Sequence, residues 1–424
     1  MKHARKLASL LLALMMVFAM TATASAADAY TITITNEKTG HTYEAYQVFA
    51  GDLAEKNGDK ILSNIVWGSG VTEAGKTALG NAADKAASLK TEAEAKAFAK
   101  VVAQYLQNPT VSTAGTGSYT ISGLSAGYYL VKDKDNTLSD QDDFYTAYIM
   151  QVVGDVNAAP KGDKPTLYKQ IKHNDDGTWG VVGDNQIGDT VEFRTISTVP
   201  DTAGYETYTY WICDTMSEGL TSNVKSAADV TIKVKDQGTP LSEAYYTVTA
   251  NGNTFTIDVD ILKAVADNVI TTNDKLYAYY SGVLNENAKV YDKGNQDNAA
   301  HLEYSNNPND DGKGKSPDKK VYDWTFKMGI NKVDKSGNAL TGAKFVLSKS
   351  GTIKVTDLAC DDNGVPTVTT GLIGLVKTGE GAYRIALSGE TNIVYAIDAG
   401  NPVIKGLDDS VNYYLYETKS PAGY

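Results

Sequence analysis

A chain of 424 residues is long enough for two or three domains, and a hydrophobic share of 42% supports real cores rather than a disordered stalk. Its net charge of −12 argues against nucleic acid and anionic membrane surfaces as partners, because both repel an acidic chain. Cys213 and Cys360 are the only cysteines and lie far apart, so no disulfide framework accounts for durability outside the cell.

The first residues set the compartment. Lys2, Arg5 and Lys6 precede an apolar run over residues 7–20, and Ala24-Ser25-Ala26 follows as a small-x-small cleavage pattern. This reads as a secretory signal peptide over residues 1–26, too short in its apolar part to span a membrane comfortably. The mature chain is expected to start near Ala27.

Beyond it the chain reads as mainly β. Tyrosine dominates the aromatics, with 27 Tyr against 8 Phe and 4 Trp. Short period-two runs such as Tyr30-Thr31-Ile32-Thr33-Ile34 and Thr254-Phe255-Thr256-Ile257 carry the strand signal. Asn57-Gly58, Asn251-Gly252 and Asn363-Gly364 mark turns. One window, residues 92–106, is rich in Ala, Lys and Glu and predicts a helix. Breaker-rich linkers at residues 158–165 and 306–320 divide the mature chain into three domains: 27–160, 161–320 and 321–424. The first reads as a β-sandwich with a helical insertion, the second and third as tandem immunoglobulin-like β-sandwiches.

In the second domain three polar residues fall in phase with apolar ones. Lys169 alternates with Leu167 and Ile171; Asp214 with Tyr208, Tyr210 and Ile212; Asn306 with Ala300, Leu302 and Tyr304. Each would be costly alone on a core face, and together they can form one reactive site. On pattern alone the reading that wins is a strand-edge lysine, a turn-capping Asp214 and a loop asparagine. In the third domain the run Tyr322, Trp324, Phe326, Met328, Ile330, Lys332 predicts one strand face with Lys332 on the core side. A strand-end lysine reaching solvent is the other reading.

The closing stretch, residues 413–424 (Tyr-Tyr-Leu-Tyr-Glu-Thr-Lys-Ser-Pro-Ala-Gly-Tyr), together with Lys332-Val333-Asp334 and Leu340-Thr341-Gly342-Ala343-Lys344-Phe345, resembles the collagen-adhesin B-type domain and the E-box of Gram-positive pilins. Residues 164–169, 213–220 and 302–308 resemble the middle domain of fimbrial shaft subunits, and residues 43–49 and 121–131 their N-terminal domain. The resemblance implies a backbone subunit of a sortase-assembled pilus, welded internally by Lys–Asn isopeptide bonds that form without turnover. Carried over residue by residue, Lys169 and Asn306 form the bond with Asp214 as the acid/base, and Asn307 replaces Asn306 if the register slips by one. Lys332 and Glu417 take the amine and acid/base roles in the third domain, where the partner asparagine and an LPXTG-type sorting signal are expected beyond Tyr424.

The resemblance also implies a class C sortase and identical subunits as partners, with attachment to cell-wall peptidoglycan through the sorting signal. The acceptor lysine of the family sits in a Tyr-Pro-Lys-like motif between the first two domains. Ala159-Pro160-Lys161 occupies that place and makes Lys161 the candidate, with Lys164 next. Two other readings compete. A monomeric or tip adhesin would use the same domains to bind a host surface ligand. A secreted enzyme would need chemistry the sequence does not spell out. His3, His41, His173 and His301 are scattered, and no nucleophile elbow, phosphate loop, cofactor motif or metal-spaced His/Cys cluster appears.

Overall fold

The computed structural model describes residues 29–36, 39–56, 59–134, 147–158, 164–202, 205–307 and 312–424. The expected signal peptide, residues 1–26, and the candidate acceptor Lys161 lie outside the described residues. The chain forms two compact units: residues 1–164 with 200–208 and 305–314, and residues 165–199 with 209–304 and 315–424.

The first unit contains two sheets. One orders Thr113–Gly115, Ser118–Leu124, Tyr30–Thr35 and Val156–Ala158. The other orders Asp59–Trp67, Tyr43–Lys56, Gly127–Asp133 and Ala147–Val152, with Thr110–Val111 also along Tyr43–Lys56. The expected helical insertion is present as three helices, Glu73–Leu79, Ala82–Ser88 and Glu92–Ala103. The last opens on a capping box, in which Thr91 and Glu94 satisfy each other's end groups. It stops short of the expected residue 106 because Leu106 leaves the helix to bridge Val71. Phe98 anchors it by stacking on Phe49, with ring centroids 5.5 Å apart. The two shorter helices, capped by Thr72 and Asn81, were not expected from the sequence.

The second unit holds two β modules. In the middle module one sheet orders Trp179–Gly180, Leu167–Lys172, Thr190–Thr198, Lys275–Leu284 and Leu220–Ser222, and Thr231–Val234 also joins Lys275–Leu284. The other orders Val182–Asp184, Lys319–Trp324, Gln296–Ser305, Tyr210–Met216, Thr254–Val259 and Tyr246–Asn251. Alternation sends Ile171, Phe193, Ala278, Ile212, Phe255 and Leu302 into the core, all at most 1% exposed. The C-terminal module pairs a five-stranded sheet, which includes Phe326–Gly329 and Val403–Leu407, with a three-stranded one. The latter orders Ile397–Asp398, Lys344–Ser348 and Tyr414–Lys419.

The expected boundary at 320/321 falls inside a strand. Lys319–Trp324 completes the middle module's sheet, pairing antiparallel with Gln296–Ser305 and parallel with Val182–Asp184. The expected single run from Tyr322 to Lys332 is also corrected. It breaks at Thr325, itself buried, into two strands in different sheets, and the buried face of the first is Val321 and Asp323. The aromatic stripe that suggested the opposite face is covered from outside. Tyr291 packs on Trp324 and Phe326 at 5.2 and 5.6 Å. Apolar periodicity reported a covered face, but the cover is one ring and not the core.

Asp323 is the polar residue that this phase places inside. Burial pushes it up to about 7, a hydrogen bond from Asn185 pulls the other way, and the charges of Asp408 and Asp189 add to the rise. A folded-state value above the unfolded one means that stability is full below pH ~4 and is lost as pH rises toward ~7. Asp323→Asn keeps an acceptor for Asn185 and removes that loss. Urea unfolding should give the variant a higher midpoint than the parent at pH ~8 and the same midpoint near pH ~4.

Candidate functional site: a buried amine, acid and amide

The middle module buries an amine, a carboxyl and a phenol together between its two sheets. Lys169 enters from the Leu167–Lys172 strand of one sheet and Asp214 from the Tyr210–Met216 strand of the other, each in phase with apolar neighbours. Neither side chain has any solvent exposure. The Lys169 amine donates to Asp214 Oδ2 and to the Tyr280 hydroxyl, and the Tyr280 hydroxyl donates to the same Asp214 oxygen. The surroundings are aromatic. The amine lies 5.5 Å from the Phe193 ring centre and 4.9 Å from that of Tyr280. Phe255 meets Tyr280 edge to face at 4.9 Å.

Burial dominates the protonation of all three groups. It pushes the Lys169 amine down, opposed by Asp214. It pushes the Asp214 carboxyl up, opposed by Lys169 and Tyr280. It holds the Tyr280 phenol well above its usual value, reinforced by Asp214. A dry interior penalises both ions of the pair, so it favours a neutral amine beside a protonated acid.

The asparagine that the structure brings to this pair is Asn298, not Asn306. Asp214 pairs across the sheet with Ala300, and Asn298 lies two positions along on the same inward face. Asn298 is 1% exposed, and neither of its amide atoms has a hydrogen-bond partner. It nonetheless stands close enough to favour the ionised forms of Asp214 and Tyr280, an influence that falls short of hydrogen-bond geometry. Asp214 Oδ1 is likewise buried without a partner. An unsatisfied carboxyl oxygen and an unsatisfied amide on one dry face are each costly, and contact between them removes both costs. Asn306 and Asn307 are buried too, but both follow the end of the Gln296–Ser305 strand. Six positions of extended chain, about 20 Å, separate Ala300 from Asn306.

The C-terminal module repeats the pairing in a wetter setting. Lys332 Nζ donates to Glu417 Oε2 at 2.8 Å, with side-chain exposures of 29% and 31%. Glu417 sits on Tyr414–Lys419, where it pairs with Phe345, and its Oε1 is buried without a partner. Neighbouring E-box-like residues hold that strand in place. The Tyr416 hydroxyl donates to the Ser350 carbonyl at 2.7 Å, and Lys419 donates to the Asp362 carbonyl at 3.1 Å. The expectation that Lys332 lies on an apolar core face is corrected: it follows the end of the Phe326–Gly329 strand and is half-buried.

This architecture is shared with a known structure. The T6 backbone pilin of Streptococcus pyogenes serotype M6 has a TM-score of 0.50 at 19% identity, over 95% of this chain and 79% of that one. The fold is that of a backbone pilin. The full-length major pilin SpaD of Corynebacterium diphtheriae gives a TM-score of 0.49 at 18% identity, over 94% of this chain and 88% of that one. No protein-family model matches the sequence, and no curated protein matches it.

Within this pilin fold, two participants escaped the sequence reading. Tyr280 read as one of many strand tyrosines. Asn298 lies in phase with Ala300, Leu302 and Asn306, so the pattern offered two asparagines on one face and no register to choose between them. Cys213 and Cys360 are both free thiols. The energetics of the trio are testable without any covalent step. Asp214→Ala strands the Lys169 amine in an aromatic cage, whereas Asp214→Leu combined with Lys169→Met removes both charges. Denaturant titration should show the single variant less stable than the double by about 3 kcal/mol.

Proposed function

We propose that this chain is a structural backbone subunit of a covalently polymerised cell-surface pilus, not an enzyme acting on a free substrate, and that its middle module is closed by an isopeptide bond between Lys169 and Asn298. The observation that carries the proposal is the Lys169–Asp214 pair, fully buried between the two sheets with an unsatisfied asparagine amide on the adjoining strand.

The chemistry follows from the proton distribution. The neutral Lys169 amine attacks Asn298 Cγ. The protonated Asp214 carboxyl polarises Asn298 Oδ1 and stabilises the charge that develops there. The amine proton passes to the departing amide nitrogen through Asp214, with the Tyr280 hydroxyl bridging donor and acceptor. The Cγ–Nδ2 bond breaks, ammonia leaves, and a Cγ–Nζ bond replaces it. Asp214 regains its proton, so the event occurs once per chain.

The mechanical consequence suits a shaft. Lys169 lies on the first strand of the module and Asn298 on the strand beside its last, Lys319–Trp324. Pulling on the ends of the module loads a covalent link rather than a ladder of hydrogen bonds. Closing so long a loop also restricts the unfolded chain, by analogy with a disulfide on the order of 4–5 kcal/mol. The Lys332–Glu417 pair has the amine and acid of a second such site. Lys161 is the proposed acceptor through which a class C sortase joins one subunit to the next, with Lys164 the neighbouring candidate. Secretion and a cell-wall location complete this reading.

Intact-mass measurement of the mature protein should give a mass short by one ammonia. Lys169→Ala, Asp214→Ala and Asn298→Ala should each restore the full mass, while Asn306→Ala should not. A deficit that survives Asn298→Ala but disappears in Asn306→Ala would reassign the bond. Incubation with a class C sortase and a peptide bearing an LPXTG-type sorting signal should attach the peptide to the protein, and Lys161→Ala should abolish the attachment. Attachment unchanged by that substitution would remove Lys161 as the acceptor.

A further inference from the structure

The outer face of the sheet that carries Asp214 and Asn298 gathers a second constellation. Alternation that turns Asp214, Ala300 and Leu302 inward turns Cys213, His301 and Glu303 outward. Cys213 stands directly opposite His301 on one side and Thr256 on the other. Glu303 lies two positions beyond His301 on the same strand face. One ligand atom from each of Cys213, His301 and Glu303 falls within 4.8 Å of the other two, and all three residues are half-buried.

The histidine is held from both sides. Its Nε2 faces Glu303 Oε1 at 3.7 Å, and its Nδ1 lies 3.0 Å from Asp318 Oδ1. Carboxylates facing both ring nitrogens fix the plane of an imidazole that also lies within reach of a thiol, and carboxylates held on the ring in this way orient histidine on zinc. The Thr256 hydroxyl lies 3.8 Å from the Cys213 sulfur and steadies the thiol.

We propose that Cys213, His301 and Glu303 bind a divalent zinc-class ion, with Asp318 as the positioning residue for His301. The donor set decides the class. Sulfur, imidazole nitrogen and one carboxylate suit Zn2+, whereas Ca2+ and Mg2+ take oxygen shells. Zinc bond lengths of about 2.0–2.3 Å place tetrahedral ligand atoms roughly 3.3–3.8 Å apart, so side-chain rotation alone closes the site. Three protein ligands leave the fourth position to water or an incoming donor. Burial raises the Cys213 thiol, the Thr256 bond and Lys315 lower it, and Glu303 and Asp214 raise it further. Metal binding must therefore expel the thiol proton. Sequence spacing hides the site, because its ligands come from two strands far apart in the chain and meet only through sheet register. The ion would tie the Asp214 strand to the Asn298 strand from behind, independently of any bond between Lys169 and Asn298.

The test uses the purified mature protein after chelator treatment. Calorimetric titration with ZnCl2 should show one equivalent bound. CoCl2 should give a thiolate-to-cobalt charge-transfer band together with the visible bands of tetrahedral cobalt. Cys213→Ser and His301→Asn, each checked for folding by thermal melting, should both lose the band. Asp318→Asn should keep it and weaken binding about 10–100-fold. Cys360→Ser should change nothing. The proposal is overturned if Co2+ in excess gives no charge-transfer band, or if the band persists in Cys213→Ser. It is equally overturned if Zn2+ binding is undiminished in His301→Asn, since the cluster is then only a histidine held between two carboxylates.

Discussion

The middle module depends on one constraint: an amine and a carboxyl share a space that water does not enter. Placing Lys169 and Asp214 as ions there would cost several kcal/mol each before their attraction is counted. Aromatic rings from both sheets enforce the dryness, Phe193 and Tyr280 on one side and Phe255 on the other. The proton therefore settles where neither group is charged. In the proposed bond formation the same redistribution would make Lys169 the nucleophile and Asp214 the proton donor. The one cause behind both the cost of the pair and its proposed chemistry is burial.

The C-terminal module shows what changes when that dryness is relaxed. Lys332 and Glu417 meet at an ordinary hydrogen-bond distance, yet each remains about a third exposed. Water at such a site screens the pair and offers both ions solvation. The pairing is the same, but the setting is wetter. A strand that covered Glu417, whose Oε1 is already buried and unsatisfied, would move this pair toward the condition of the middle module.

The two faces of a single sheet divide the labour. The inner face of Tyr210–Met216 and Gln296–Ser305 carries the acid and the amide, and the outer face carries a thiol, an imidazole and carboxylates. Period-two alternation makes this separation unavoidable: neighbours in sequence such as Cys213 and Asp214 face opposite environments. Dryness governs the chemistry on one side, and partial exposure leaves room for ion binding on the other.

Local pattern by itself determined the β class and the helical insertion and put Lys169 and Asp214 in phase with apolar neighbours, while the resemblance of the closing motif implied the pairing of Lys332 with Glu417. These follow from alternation and from short motifs, which act over a few residues. Only the tertiary structure decided which asparagine meets Asp214, because Asn298 and Asn306 share a phase and differ only in register along one strand. It also decided that residues 319–324 complete the middle module, and that Tyr291 rather than the core covers the aromatic stripe of Trp324 and Phe326. The contacts of Tyr280 with Lys169 and Asp214, and of His301 with Asp318, were decided in the same way. Register and sheet order are set by contacts between distant segments, and a linear pattern with period two is blind to a shift of two.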